Sequence, residues 1–369
     1  MKQVIPLIFA LVIPSAAMGQ LPHNAADLEK AVERKIRVTE NQTIFALFCL
    51  LNLGGYDEEN NPAGMHPVRV RVRQELAQKV RPELAQRIRE YYRQHRNAEP
   101  YEYTVVALST GGPPDFKFTA DWAEFSKDAR FAPLADTPGL LRELYSSTPL
   151  DSIYAGVQAY YRKYIEDYHA TVVTQVAKVT AYCRVSASAL GNATGGETPH
   201  AVVIPNLLQS FGRAFGFVLG DTFYSIEGPF TKMGYNPHEF VHSITSPMSY
   251  DPRNKALQEP AEPLFELAKK QPDVGDVNNL QNFLDENLVR AICLRYLNNG
   301  DPARAQRLQQ AMMQQYRSGY PLMPFFYEQL EGYEKSNLPL RDYYPTMLKN
   351  LRAKDELGRW ERTAKDPAK

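Results

Sequence analysis

The sequence has no excess of either charge, no internal repeat and no low-complexity linker. Lys and Arg together number 42, as do Asp and Glu, so the formal net charge is zero. This balance argues against nucleic acid or an anionic membrane surface as the partner of the protein. No stretch approaches the ~20 consecutive apolar residues of a membrane-spanning helix, so no membrane span is predicted.

Cysteine is also scarce, which limits covalent crosslinking of the fold. The chain has three cysteines, Cys49, Cys183 and Cys293, so at most one internal disulfide can form and one thiol is left over. The three lie far apart in sequence and each has apolar neighbours. We therefore predict three buried thiols.

The first residues have the pattern of a secretory signal peptide. Lys2 supplies a positive charge, residues 4–12 form an apolar run, and residues 17–19 read Ala-Met-Gly, a small-x-small cleavage site. The apolar run is too short for a membrane span. The sequence thus predicts a signal peptide over residues 1–19 and an exported mature chain, periplasmic or extracellular.

Residues 235–243 contain the pattern His-Glu-x-x-His in His238, Glu239 and His242. Residues four apart on an α-helix are separated by roughly 40° and about 6 Å of rise, so both imidazoles project from one face. Two such imidazoles can bind one Zn²⁺ ion at about 2.0–2.1 Å. Glu239 falls on the flank of that face, where it can hold a water molecule on the metal. The pattern predicts two ligands and a general base from one helical turn.

The residues around this pattern predict where the helix begins and ends. Asn236 suits the N-cap position, and Pro237 suits the first helical position. Pro247 is expected to end the helix soon after the second histidine.

A catalytic zinc site needs a third protein ligand and an open position for water. No histidine follows His242, so a ligand from farther along the chain must be a carboxylate. The candidates are Glu259, Glu262, Glu266, Asp285 and Glu286. Glu262 lies twenty residues beyond His242, a familiar spacing, but Pro260 and Pro263 bracket it. Glu286 opens a strongly helical run, so it is favoured and Glu262 comes next.

Runs of β-branched and aromatic residues predict short strands upstream of the histidines. They are residues 101–109, 182–187, 201–205, 215–219 and 222–226, the last two forming a hairpin around Gly220 and Asp221. Helical spacing dominates elsewhere, as in a long helix predicted over residues 150–181. These patterns predict an α+β fold that is predominantly helical, with a small β-sheet before the His-Glu-x-x-His helix. Residues 20–369 are predicted to form a single domain with a charged tail from about Lys354.

Two motifs, HEFVHS at residues 238–243 and ENLVRA at residues 286–291, carry a resemblance to a known class. The sequence resembles the gluzincin type of zinc metallopeptidase. More closely, it resembles a family of uncharacterised, mostly bacterial exported proteins with the motifs HEFxHS and ExLVRA. That resemblance implies a zincin-like domain, with His238, His242 and Glu286 as metal ligands and Glu239 as the catalytic carboxylate. It also implies that a strand within residues 201–226 lines the substrate cleft.

The expected function is an exported zinc-dependent peptidase acting on a peptide or protein substrate. A metal-activated water would attack the peptide bond, with Glu239 as general base. One alternative is a non-catalytic peptide- or glycan-binding protein on a zincin scaffold, although such a protein would not need Glu239. Another is an exported helical protein whose two histidines are only hydrogen-bonded.

Hydrolysis also needs a donor for the developing oxyanion, and the lack of a later histidine leaves tyrosine or arginine for that role. The candidates are Tyr296, Tyr316, Tyr320, Tyr327, Tyr333 and Arg290.

Overall fold

The computed structural model describes residues 25–57, 65–185, 201–230, 235–271, 277–298 and 300–365. The predicted signal peptide, residues 1–19, lies outside these ranges. Within them the chain is mostly helical and has one four-stranded sheet. The prediction of a predominantly helical α+β fold is therefore confirmed, and its strands β2 to β4 precede the His-Glu-x-x-His helix in sequence.

The helices are α1 (Ala25–Glu33), α2 (Gln42–Gly54), α3 (Pro67–Lys79), α4 (Pro82–Gln94), α5 (Pro100–Leu108), α6 (Trp122–Phe125), α7 (Thr137–Ser147), α8 (Leu150–Ala155), α9 (Gln158–Tyr182), α10 (His238–Ser249), α11 (Lys255–Gln258), α12 (Glu262–Ala268), α13 (Leu280–Arg295), α14 (Pro302–Arg317), α15 (Met323–Lys335), α16 (Leu340–Lys349) and α17 (Ala353–Lys365). The strands are β1 (Ile36–Val38), β2 (Ala201–Pro205), β3 (Ala214–Leu219) and β4 (Thr222–Glu227).

The contacts divide the described chain into two compact units. Unit 1 comprises the described residues within 34–172 and 197–235, and unit 2 comprises those within 8–33, 173–196 and 236–369. The prediction of one domain over residues 20–369 stays a prediction.

Unit 1 contains the whole sheet, whose strand order is β1-β2-β4-β3. Strands β1 and β2 pair in parallel, as do β2 and β4, whereas β3 and β4 form an antiparallel hairpin. The hairpin turns at Gly220, which has a positive φ of 58° that suits glycine. Phe217 and Tyr224 face each other across this pair with stacked rings. The strands predicted over residues 201–205, 215–219 and 222–226 are thus confirmed. The strand predicted over residues 182–187 is wrong where the structure describes it, because Tyr182 ends α9 and a turn follows, and residues 186 and 187 lie outside the described residues.

Helix α2 is the central helix of unit 1. The Asn41 side chain accepts a hydrogen bond from the Ile44 N–H and caps its start, and Gly55 ends it in the left-handed conformation with φ 102°. Every residue from Thr43 to Asn52 is buried. A helix that is apolar all round must be covered on every side, and α3, α4, α5, α7 and α8 pack against it.

The strand predicted over residues 101–109 is wrong, because this segment forms α5. Pro100 takes the first turn of the helix, and Glu99 and Glu102 form a reciprocal capping box. The helix buries Val105 and Val106 on packing against its neighbours. A short buried apolar run has no distinguishing period, so its pattern fits a strand and a helix equally.

Helix α13 is the central helix of unit 2, and α10, α14 and α15 pack against it. The Asn279 side chain caps its start by accepting a hydrogen bond from the Asn282 N–H at 2.8 Å. Inside the unit, Asn287 donates to the Phe283 carbonyl and accepts from the Leu322 N–H. The buried amide therefore ties α13 to the start of α15 without an unpaired polar group.

The three cysteines are buried and unpaired, as the sequence predicted. Among the described residues, no helix combines the length and the apolar character that crossing a bilayer requires.

Candidate metal centre

Helix α10 carries both histidines of the motif on one face. It begins at His238, and His242 follows one turn later, with the ring centroids 4.9 Å apart. The N-cap residue is Pro237 rather than the predicted Asn236, and its side chain makes no capping hydrogen bond. Because the helix begins at the first histidine, both imidazoles project from its first two turns.

The predicted end of this helix at Pro247 is wrong, because Pro247 lies inside α10 and the helix continues to Ser249. Proline removes one backbone donor, but its φ is compatible with a helix. The last turn is closed by the Tyr250 N–H, which donates to the Ser246 carbonyl at 2.9 Å. The serines in this last turn also donate from their side chains to a carboxylate of α13.

Helix α13 brings Glu286 to the two imidazoles. The Nε2 atoms of His238 and His242 are 3.3 Å apart. Glu286 Oε1 lies 3.3 Å from His242 Nε2, and Glu286 Oε2 lies 3.6 Å from His238 Nε2. Two nitrogens and the carboxylate group of Glu286 thus form a small triangle, in which each nitrogen lies near a different oxygen of that carboxylate. These three residues could hold a metal ion.

The size of this triangle fits a tetrahedral zinc site. Ligands placed tetrahedrally around zinc at about 2.0–2.1 Å lie roughly 3.3–3.4 Å from one another. The separation of 3.3 Å between the two nitrogens is close to an edge of such a site, and so are the separations of 3.3 and 3.6 Å from the nitrogens to the two different oxygens of Glu286. Each of the three side chains keeps between 17 and 19% of its surface exposed, so the cluster is not sealed from solvent.

Asp285, the residue before Glu286, has a different role from a ligand. It is 2% exposed, and its Oδ2 lies 2.8 Å from His242 Nδ1. Ser246 Oγ donates to Oδ2 at 2.6 Å, and Ser249 Oγ donates to Oδ1 at 3.2 Å. A carboxylate on Nδ1 fixes the ring and leaves Nε2 facing His238 and Glu286. Such a carboxylate is the usual outer support of a metal-binding histidine.

Charges within this cluster shift the pKa of two of its members in opposite directions. Burial lowers the pKa of His242, but the charge and hydrogen bonds of Asp285 and Glu286 outweigh burial and raise this pKa well above its ordinary value. Burial raises the pKa of Glu286, but His238 and His242 outweigh it and lower that pKa well below its ordinary value. Without a metal, the cluster therefore favours a carboxylate at Glu286 and an imidazolium at His242.

Glu239, the predicted general base, lies next to His238 in the first turn of α10. Its side chain is partly exposed and makes no hydrogen bond or ion pair with another described residue. A carboxylate that no neighbour neutralises can accept a proton from a water molecule. Its setting is therefore compatible with the predicted role.

Three of the other predicted ligand candidates lie outside the triangle. Glu259, Glu262 and Glu266 are exposed, in or beside the short helix α12, and the cluster of potential ligands does not include them. The geometry thus favours Glu286 over Glu262 as the third ligand.

Most of the predicted oxyanion donors have other partners. Tyr296 donates to Gln175, Tyr333 donates to the Tyr182 carbonyl, and the ring of Tyr327 stacks on Arg295. Tyr316 is fully buried, with its ring edge-on to Trp360. Arg290 is different, because its Nε donates to Glu286 Oε2 at 3.1 Å and its guanidinium stacks on Tyr320.

The role of Asp285 was not predicted from the sequence. A signal was present, since Ser246 and Ser249 follow His242 by four and seven residues and therefore share its helical face. A polar stripe of this kind on a helix with buried neighbours calls for a polar partner on the facing helix.

Comparisons of this chain with models of protein families, with curated protein sequences and with solved structures found no match. The likeness to gluzincins and to exported proteins with HEFxHS and ExLVRA motifs therefore stays a prediction from those two motifs.

Proposed function

We propose that this protein is an exported zinc-dependent peptidase. The observation that carries the proposal is the triangle of His238 Nε2, His242 Nε2 and the Glu286 carboxylate, in which the two nitrogens are 3.3 Å apart and each lies 3.3 to 3.6 Å from an oxygen of Glu286. Two imidazoles and one carboxylate, with one accessible position left over, form the ligand set of catalytic rather than structural zinc sites. Glu239, one residue after the first ligand, supplies the general base.

In this proposal Glu239 and Asp285 have separate roles beside the metal ligands. A bound zinc ion supplies Lewis acidity, which polarises a carbonyl and lowers the pKa of water towards ~7. Glu239 takes a proton from the attacking water and delivers it to the leaving amine. Asp285 holds the ring of His242 through Nδ1, so that Nε2 stays directed at the ligand triangle.

Metal analysis tests the ligand set. The purified protein should contain about one equivalent of zinc, and His238→Ala and Glu286→Gln should each lose it. Glu262→Gln is the matched carboxylate control, because Glu262 is exposed and lies outside the cluster. His169→Ala is the matched imidazole control, since that histidine is also outside the cluster. Zinc retained in Glu286→Gln would contradict the proposed site.

Cleavage of a mixed peptide library tests the activity. Zinc-loaded wild-type protein should cleave peptides, and Glu239→Gln should keep its zinc while losing roughly 10²- to 10⁴-fold in rate, the usual effect of a general base. A protein that holds zinc but cleaves no member of the library would favour the binding-protein alternative. Equal cleavage by the Glu239→Gln variant would exclude Glu239 as the base.

A further inference from the structure

Two arginines of α13 stand in contrasting surroundings, although both stack on a tyrosine. Arg290 Cζ lies 3.9 Å from the ring centroid of Tyr320, and Arg295 Cζ lies 4.8 Å from that of Tyr327. Arg295 donates to Glu334 from Nε at 2.8 Å and also from Nη2. Its donor fork is therefore engaged by a carboxylate of the same unit, and its side chain is 10% exposed.

Arg290 uses a smaller part of its donor fork. Its Nε donates to Glu286 Oε2 at 3.1 Å, and its side chain is 26% exposed. Within the described ranges, Nη1 and Nη2 of Arg290 have no hydrogen-bond partner. The guanidinium is thus held by a ring on one face and by a carboxylate at Nε, while its two terminal nitrogens remain available.

The guanidinium that carries Nη1 and Nη2 of Arg290 is next to the ligand triangle. The oxygen that accepts from Arg290, Glu286 Oε2, is the one that lies 3.6 Å from His238 Nε2. A guanidinium prefers anions with two oxygens, because its parallel N–H groups match the spacing of a carboxylate. Since Tyr320 and Glu286 already hold the group in place, less side-chain freedom is lost when an anion binds.

Resting on the peptidase function, we propose that Arg290 binds a carboxylate of the substrate and makes the site selective for peptides with a carboxylate close to the scissile bond. The carboxylate comes either from the C-terminus of the peptide or from an Asp or Glu side chain. Arg290 is a specificity-determining residue in this proposal. Its contribution lies in the affinity for acidic substrates, and substrates that lack a carboxylate do not gain from it.

Binding of matched peptide pools tests the proposal independently of cleavage. The protein is zinc-loaded Glu239→Gln, so that bound peptides are not consumed. The pools are N-acetylated hexapeptides with mixed internal residues other than Asp and Glu, one with a free C-terminus and one with a C-terminal amide. A third, amidated pool carries one Glu at varied positions. At least one of the two carboxylate pools should bind ten- to a hundredfold more tightly than the neutral pool. Comparison of the free-C-terminus pool with the Glu-containing pool identifies the source of the carboxylate.

The same measurement in further variants assigns the effect to Arg290. In the Glu239→Gln background, Arg290→Gln should abolish the preference for carboxylate pools. Arg290→Lys should keep only part of it, because lysine has the charge of arginine but not its paired N–H donors. Arg295→Gln is the matched control and should keep the preference. Zinc content is measured for every variant, and only zinc-loaded protein is compared.

Several results would overturn the proposal. The first is equal binding of the three pools, or no measurable binding of any pool. The second is a preference for carboxylate pools that survives Arg290→Gln. The third is a preference that Arg295→Gln also abolishes. In protein that retains Glu239 and cleaves peptides, Arg290→Gln could lower kcat equally for acidic and neutral pools. That result would assign Arg290 to stabilisation of the oxyanion instead. If acidic pools bind preferentially but the wild-type protein cleaves none, the peptidase function fails and the carboxylate site stands.

Discussion

At the scale of single residues, the buried carboxylate of Asp285 determines which nitrogen of His242 faces the candidate metal centre. Asp285 lies on Nδ1 at 2.8 Å, so Nε2 is left to face His238 and Glu286. Hydrogen bonds from Ser246 and Ser249 hold the carboxylate in turn. Three groups along one face of α10 thus converge on a single acid of α13.

Replacing Asp285 with asparagine should weaken metal binding without removing the ligands. The amide keeps a similar shape but loses the charge that fixes the imidazole, and loss of such an outer partner typically costs 10- to 100-fold in affinity. Titration of the metal-free protein with zinc in a competing chelator measures this change. Ser246→Ala removes one hydrogen bond to Asp285 but leaves the His242 contact, so its effect should be smaller. Wild-type affinity in Asp285→Asn would show that the carboxylate does not support the site.

Metal binding at pH 7 should release a proton from His242. In the metal-free protein the pKa of His242 is raised well above its ordinary value. The stability contributed by its imidazolium is therefore fully present below the unfolded-state pKa of about 6.5 and is lost as the pH rises through the folded-state pKa. A histidine must lose its extra proton to bind a metal, so zinc affinity should rise with pH until the pH passes the folded-state pKa. Calorimetry in two buffers with different ionisation enthalpies measures the released proton, and identical heats in both would contradict the expectation.

At the scale of elements, α2 must approach its neighbours closely because it is buried on every side. A Cβ atom added at Gly54 would lie 2.7 Å from Tyr92 Cβ and 2.9 Å from Tyr92 Cγ. Gly54 is the last residue of α2, and Tyr92 belongs to α4. Glycine at this position therefore permits the close packing of these two helices.

Gly54→Ala should destabilise the protein, because overpacking of a core contact typically costs about 1–3 kcal/mol. The midpoint of urea unfolding measures the loss. Gly139→Ala in α7 is the matched control, since a Cβ there meets nothing within 4 Å. At this exposed position of a helix that substitution should stabilise by about 0.5–1 kcal/mol. A Gly54→Ala variant as stable as the wild type would mean that α2 and α4 can move apart at no cost.

The elements also show what sequence patterns could predict. The helical period was sufficient to place His238 and His242 on one face, and turn residues were sufficient to find the β3–β4 hairpin. Strand β1 has only three residues, too few for a recognisable alternation. The error over residues 101–109 arose because a short apolar run, buried from Tyr103 to Ala107, shows no distinguishing period.

The choice between Glu286 and its rivals depended on packing that the sequence does not display. Glu286 and Asp285 are adjacent acids near the middle of the buried helix α13, yet one lies in the ligand triangle and the other on Nδ1 of His242. Adjacent residues of a helix point roughly 100° apart, so the rotation of α13 against α10 decides their roles. That rotation follows from side chains such as Leu284 and Leu288, which are fully buried.

At the scale of the whole molecule, the two units each have a buried central helix, α2 in unit 1 and α13 in unit 2. The candidate ligands and Asp285 all belong to unit 2. A metal that joins α10 to α13 therefore adds a crosslink between two helices of one unit. Export and membership of the gluzincin class are predictions that stand on residues 1–19 and on the two sequence motifs.

Zinc should stabilise the folded protein against heat, because it binds the assembled site and has much weaker contacts with the unfolded chain. At a free zinc concentration of 1,000 times Kd, the expected gain is about 4.1 kcal/mol. Thermal unfolding with and without a chelator measures it, and Glu286→Gln is the control that should gain little from zinc. Hydrogen exchange should show the added protection in α10 and α13. A melting temperature unaffected by the chelator, in protein that contained zinc before treatment, would contradict the expectation.

The most direct test of the account is anomalous X-ray diffraction at the zinc absorption edge from crystals of the zinc-loaded protein. We expect one strong peak at about 2.0–2.2 Å from His238 Nε2, His242 Nε2 and a Glu286 oxygen. Glu239 should lie beside the remaining open position. A map without a peak among these three residues, or a zinc ion bound elsewhere in the chain, would contradict the proposed metal centre and the peptidase function that depends on it.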